Sequence, residues 1–366
     1  MYIEKIKIEN FRNIIKEEIK PSKGINLIIG KNAQGKTNFI ESIYVLANLK
    51  SFRGRKISEV INSNSKRTKI NIIVKKNEVS NYLEFEIEND IKSIFLNKKK
   101  PNKNSDSLGF LDTVLFYPDD IFIVKGSPAL RRSLLDRAVF QTDNKYLSLF
   151  QNYLRCLRQR NAALKRTDIP ADLWDDQFTD LATKIIFYRL SYIERINAIL
   201  VKLFADVYPC KESVQIKYPV LAEDPESCKL KMAERLKSNR GKERLYGATL
   251  TGPHRDDPQF LLNGKALSLY GSQGQQRYFM LAFKTAQIID FKQHRGIRPV
   301  LLLDDMTSEL DDDLKNSFFE SLLNQAGQVF VTSTDTGLLS NKHFSGAKFY
   351  KVENGKIGEF NEATRY

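Results

Sequence analysis

The chain has 366 residues and a formal net charge of +14, from 58 Lys and Arg against 44 Asp and Glu. That length exceeds one ordinary domain, and 42 % hydrophobic residues supply a sizeable core. No stretch approaches the roughly 20 apolar residues that span a bilayer, and Cys156, Cys210 and Cys228 are too few and too scattered for a disulfide framework or a zinc site, so a cytoplasmic protein without membrane attachment is expected.

MYIEKIKIEN alternates charge with isoleucine, which predicts a strand over residues 2–9 and does not resemble a signal peptide. INLII (25–29) is a continuous apolar run, as in a buried strand; Gly30 ends it, and a helix is predicted from Thr37 to Leu49. KINIIVKK (69–76), NYLEFEIE (81–88) and IKSIFL (91–96), separated by short polar turns, predict an antiparallel meander. KKKPNKNSDS (98–107) is a loop with a positive run. From Ser127 to about Val207 glycine is scarce and apolar residues recur at helical spacing, as at Leu130, Leu134, Leu135 and Ala138, which predicts a helical insertion. A strand is predicted at VQIKYPV (214–220), followed by a basic helical stretch, KLKMAERLKSNRGKERL, and then by TGPHRDD (251–257). Asn263-Gly264 between apolar runs signals a hairpin. A helix follows Ser272, PVLLLDD (299–305) and QVFVTST (328–334) are buried strands, and KVENGKIGEF carries a second Asn-Gly turn.

GKNAQGKT (30–37) fits the phosphate-loop pattern G-x-x-x-x-G-K-[ST], between a strand and a helix. Each residue type has a chemical reason. Gly30 and Gly35 let the backbone of Lys31, Asn32, Ala33 and Gln34 turn its N–H groups inward on phosphate oxygens. Lys36 places a charge on the β- and γ-phosphates, and Thr37 offers a hydroxyl to Mg²⁺. The acids that end PVLLLDD complete such a site: Asp304 is the expected metal residue and Asp305 the base for the attacking water. ATP and Mg²⁺ are therefore the expected ligands.

The cationic excess favours a polyanionic partner, nucleic acid ahead of anionic membrane, although a Lys-, Ile- and Asn-rich composition also produces it. Arg53, Arg55, Lys56, Lys66, Arg67, Lys98, Lys99, Arg131 and Arg132 are the candidate phosphate contacts. No base-reading motif accompanies them, so binding to the DNA backbone is expected, with strong salt dependence.

A second glycine loop, SQGQQ (272–276), lies between the phosphate loop and the acid pair. This order resembles the ABC ATPases, whose signature motif closes over a nucleotide held by a partner subunit. The resemblance implies that Ser272, Gly274 and Gln275 act in trans, in an ATP-dependent homodimer. Two departures stand out: Asp305 replaces the usual Glu, which implies slow turnover, and no switch histidine is present, Thr332 and Thr334 being available instead.

KIENFRN (7–13), GKNAQGKTNFIESIY (30–44) with SFR (51–53), FYPDD (116–120), GSP…RRSLLD (126–136), TGPHRDD (251–257), GSQGQQR (271–277) and LLLDDMTSELD (301–311) together resemble the RecF family. The resemblance implies an α/β fold with an ABC-ATPase-like P-loop core, a β meander and a helical insertion lobe. The change of composition near Ser127 and Val207 divides the chain into residues 1–126 and 208–366 for the ATPase lobe and 127–207 for the insertion. The resemblance further implies a slow, DNA-stimulated ATPase of recombinational repair that binds double-stranded DNA and single/double-strand junctions, dimerises on ATP at gapped DNA and helps load RecA. RecR is the implied partner, with RecO and RecA reached indirectly. An SMC-like or transporter-type ABC head with another partner is the alternative; the insertion is too short for the long coiled coils of the former, since even 40 helical residues reach only about 60 Å.

Overall fold

Isoleucines spaced for one face of a sheet commit the first residues to a strand. Ile3, Ile6, Ile8 and Phe11 are buried in β1 (Tyr2–Phe11), and a register shift between Ile3 and Lys5 keeps the inward face inward where strict alternation would fail. The computed structural model describes residues 1–366 except 55, 167, 207–211, 306–318, 321, 324, 326, 341 and 361–366. Two compact units result, Met1–Asp120 with Gln287–Tyr366, and Ile121–Ala286.

In the first unit β1 is followed by β2 (Ile14–Ile19), β3 (Ile25–Ile29), α1 (Lys36–Asn48), β4 (Arg67–Lys76), β5 (Val79–Glu88), β6 (Ile91–Leu96) and β7 (Thr113–Phe116). An antiparallel sheet runs β2-β1-β4-β5-β6. Its two tight turns, Asn77-Glu78 and Asn89-Asp90, hold both central residues at positive φ, between 49° and 63°, which matches the twist of the strands they join. One face buries Ile70, Ile72, Val74, Leu83, Phe85 and Ile87. The other carries cross-strand ion pairs, Lys5–Glu18 at 2.7 Å, Lys69–Glu84 at 2.9 Å and Arg67–Glu86 at 3.2 Å. Helix α1 packs on both this sheet and the second one. That explains why Phe39 through Ala47 are all buried and why its sequence shows no polar face.

The second unit begins with α2 (Ile121–Lys125), α3 (Pro128–Thr142), α4 (Lys145–Leu164) and α5 (Asp175–Asp206). It continues through β8 (Val214–Lys217), α6 (Pro225–Tyr246), β9 (Gln259–Leu262), β10 (Lys265–Ala266) and α7 (Leu267–Tyr270) into α8 (Gln273–Arg295). The predicted Asn263-Gly264 turn joins β9 to β10 with both residues at positive φ. Two fully buried arginines organise this unit. Arg189 is bidentate with Asp136, at 2.7 and 2.9 Å, and donates to Tyr218 Oη and Pro253 O. Arg160 holds Asp175, Thr249 and Glu243. The segment TGPHRDD (251–257) thus serves as an internal tie: His254 Nδ1 meets Tyr153 Oη at 2.5 Å, and Asp256 accepts from Tyr218. Breaking one partner of such a buried pair costs about 3–5 kcal/mol.

The chain re-enters the first unit along α8 and adds β11 (Val300–Asp304), β12 (Val329–Ser333), β13 (Lys348–Glu353) and β14 (Lys356–Phe360). The second sheet has the order β14-β13-β3-β12-β11-β7, with all neighbours parallel except β14. The compact units do not divide at residues 126 and 207, where the change of composition points. Residues 208–286 belong with the helices, because β8 and α6 both pack on α5.

Candidate nucleotide site

Parallel strands place their C-terminal ends side by side, and loops there converge on one crevice. Here β3, β12 and β11 are adjacent, so Gly30, Thr332 and Asp304 meet at one edge. The loop between β3 and α1 reaches its shape through Ala33 at φ 62° and Gly35 at φ 119°. Gly35 is also the N-cap of α1, and no side chain caps that helix end, which leaves it open to an anion. A Cβ on Gly30 would stand 2.5 Å from the Val352 carbonyl oxygen, so only glycine fits.

Lys36 is buried and donates to the carbonyls of Gly30 at 2.8 Å and Lys31 at 3.0 Å, so its ammonium curls over its own loop. Burial lowers its pKa, against the pull of Asp305 and Asp304. Thr37 Oγ1 donates to Asp304 Oδ1 at 3.0 Å, and Thr332 Oγ1 donates to the same oxygen at 2.6 Å. Burial raises the pKa of Asp304 despite these donors. Asp305 also has a raised pKa, first through burial and with Lys36 opposing. Its backbone stands at φ 48° and its N–H donates to Thr332. A non-glycine residue in this left-handed region marks a constrained site. Of the two threonines offered by VTSTD, Thr332 reaches the acid and Thr334 is exposed.

Several supports have no role that the sequence assigns to them. Gln34 O accepts from Asn13 Nδ2 at 2.9 Å and from Gly355 N at 2.8 Å, and Gln34 Oε1 accepts from Asn354 N. The second Asn-Gly turn therefore braces the phosphate loop, and its glycine is required because a Cβ there would lie 2.1 Å from Asn13 O. Glu41, fully buried in α1, holds Arg12 through two bonds and Ser51 through one. Asn13 and Arg12 lie in KIENFRN and Glu41 in GKNAQGKTNFIESIY, blocks of the family resemblance that point to these residues without giving their roles; Glu41 is also a polar residue amid a buried run.

The other predicted residues divide. Ser272 and Gln275 form a reciprocal cap at the start of α8: Gln275 N donates to Ser272 Oγ at 3.2 Å and Ser272 N to Gln275 Oε1 at 2.8 Å. Ser272 is exposed, and a Cβ on Gly274 would meet nothing closer than Ser272 Oγ at 3.8 Å. Gln275 is less available for a nucleotide than expected, since its amide also donates to Glu212. Among the DNA candidates, Arg131 is corrected: it is buried, and it donates to Asp257, Val124 O and Gly126 O. Arg132 donates to Asp256 O, and Arg67 pairs with Glu86. Arg53 donates to Asn38 and acts electrostatically on Asp304, which places it at the nucleotide site. Lys56, Lys66, Lys98 and Lys99 are exposed, and Arg55 lies outside the described residues, as does much of the segment after Asp305.

The family model described as the RecF/RecN/SMC N-terminal domain matches residues 2–357. The chain is 39 % identical over 362 residues to the DNA replication and repair protein RecF of Syntrophotalea carbinolica, covering 98 % of this chain and 100 % of that one. The chain belongs to the RecF family. Another RecF relative, from Geotalea uraniireducens, is 38 % identical over 363 residues, covering 98 % of this chain and 100 % of that one. The solved structure of the recombination mediator protein RecF with ATP is similar with a TM-score of 0.91 at 30 % identity, covering 98 % of each chain. An Smc head bound to the C-winged helix domain of ScpA shares the fold at a TM-score of 0.57 and 17 % identity, covering 99 % of this chain and 98 % of that one. The mixed α/β architecture expected from the RecF resemblance is thus the observed one. No described helix is long and apolar enough to cross a membrane.

Proposed function

We propose that this chain is an ATP-dependent DNA-binding protein of recombinational repair, working as a slow ATPase switch whose ATP-bound form is a homodimer. One observation carries the reading: the Thr37 hydroxyl meets the Asp304 carboxylate at 3.0 Å beside a glycine-shaped loop and a buried lysine. The RecF–ATP relative supports ATP as the ligand, and its place in the RecFOR pathway supports RecR and RecO as partners; RecA beyond them follows from the family resemblance alone. The names of the curated relatives support DNA as the polymer on which it acts.

The loop backbone from Gly30 to Gly35 and the open end of α1 would cradle the phosphates, and Lys36 would exchange its two carbonyl bonds for phosphate oxygens. Thr37 and Asp304 fit Mg²⁺: the donors are hard oxygens, and a cation would offset the burial that raises the Asp304 pKa. Such an ion supplies neutralisation of charge on the β- and γ-phosphates. Asp305 would take the proton of the attacking water, its raised pKa suiting a base. One methylene shorter than the usual Glu, it would do so slowly. Ser272 lies exposed at the N-terminus of α8 and Gly274 is half-buried beside it with no side chain in the way, as a contact with the nucleotide of a second copy requires.

Light scattering with a non-cleavable ATP analogue and Mg²⁺ tests this. The expected result is a dimer with nucleotide, a monomer without it, and a monomer with nucleotide retained for Ser272→Arg. A parent chain that stays monomeric at high concentration, with and without DNA, overturns it.

A further inference from the structure

Charge on this chain is compensated unevenly. On the first sheet, Lys5, Lys69 and Arg67 face carboxylates across the strands, in Lys5–Glu18, Lys69–Glu84 and Arg67–Glu86. Helix α6 is different. Its 22 residues include seven Lys or Arg and three Glu. One edge, with Cys228, Met232 and Leu236, is buried, and Glu243 on that edge is held by Arg160 at 2.8 Å. Arg240 pairs with Asp172 and Asp175, and Lys229 approaches Asp180 at 3.8 Å. Lys231, Arg235, Lys237, Lys242 and Arg244 are exposed, with no carboxylate within 4.0 Å among the described residues.

Helical geometry arranges these charges. At 3.6 residues per turn, Lys231, Arg235 and Lys242 fall within about 40° of one another, in a stripe roughly 16 Å long. That length matches about five nucleotide steps along one strand of a duplex. Ser238 lies in the same stripe. Gly241 lies roughly opposite the buried edge, is exposed, and a Cβ added to it would meet nothing within 4 Å. A mid-helix glycine weakens the helix, and nothing in the fold requires this one. It stands about 100° round the helix from Lys242, with the exposed Glu234 between it and the stripe, so it is not part of the cationic face. Leu230, Leu245 and Tyr246 of α6 are exposed, but the exposed Glu234 and Lys237 lie among them, so the helix has no continuous apolar face to sink into a bilayer.

We propose that the cationic stripe of α6, formed by Lys231, Arg235 and Lys242 with Ser238 beside them, binds the sugar-phosphate backbone of duplex DNA. This rests on the DNA-binding reading above and assigns it a surface. The contacts are with phosphate, so the face reads no sequence and its contribution falls with salt.

The test is fluorescence anisotropy of a labelled short duplex, titrated with the parent chain and with the combined variant Lys231→Ala, Arg235→Ala, Lys242→Ala at several salt concentrations. Alanine is the strongest helix former, so α6 is kept; unchanged binding of an ATP analogue confirms a folded chain. The variant is expected to bind at least tenfold more weakly at low salt, with a log–log salt slope smaller by about 2 to 3; Lys242→Gln alone should reduce the slope by about 1. A variant that binds duplex as the parent does, with the same slope, overturns the assignment and leaves the DNA-binding reading standing. A parent that fails to bind duplex overturns that reading and the assignment with it. Parent binding to phosphatidylserine vesicles in preference to duplex, lost in the combined variant, would make the face a membrane contact instead.

Discussion

Asp304 receives two hydroxyls on one oxygen, and each can be removed with little change of side-chain volume. Thr332→Val should destabilise the chain by about 1–2 kcal/mol, read as a lower urea midpoint at unchanged slope, because a buried acceptor loses its closest donor. Asp305→Asn should keep ATP binding while phosphate release falls by about 100-fold or more; a parental rate would remove Asp305 from the role of base. The loop and the acid pair are legible in the sequence because a spaced pattern follows a strand in each case. Thr332 is not separable from Thr334 by sequence alone. Its role depends on β12 lying against β11, where Asp304 is paired in register with Thr332. Arg131 illustrates the opposite error: it shares the face of α3 that buries Leu134, Leu135 and Ala138, and its positive charge masks that periodicity.

Elements with strong periodicity or tight turns are written plainly in the sequence: β1, the meander, and both Asn-Gly hairpins follow the predicted pattern closely. Strand β2 is not, because IIKEEI buries only its two end isoleucines and shows charge between them. It is an edge strand, and its pairing with β1 depends on a partner distant in pattern from itself. At α8 the reciprocal bonds between Ser272 and Gln275 fix the start of the helix around Gly274 before any ligand arrives. Gln275→Ala removes one of them and should cost about 1 kcal/mol. Circular dichroism melting would show this as a lower midpoint, and the proposed ATP-dependent dimerisation should weaken alongside it. A weakened dimer with an unchanged melt would instead assign Gln275 to the nucleotide.

At the scale of the molecule, acid should loosen the helical unit through His254. Burial pushes this imidazole down to about 4, from an ordinary value of 6.5. The folded state therefore keeps it neutral while the unfolded chain takes up a proton, so its contribution is intact above about pH 6.5 and is lost as pH falls toward 4. The full loss is on the order of 3 kcal/mol. Comparing urea stability of the parent and His254→Asn across that range isolates the effect; equal pH profiles would show that the ring is not the sensitive group. The two-unit division is only partly legible, because composition marks where helices begin but not that β8, α6 and β9 fold back with them. The order of strands has a consequence for biogenesis. β3, which leads into the phosphate loop, is flanked by β12 and β13, from far down the chain. A ribosome that has finished α8 has released the entire loop sequence but neither strand that shapes it. A nascent chain ending before Lys348 should therefore fail to retain a labelled ATP analogue, so the newborn protein stays switched off until translation is nearly complete.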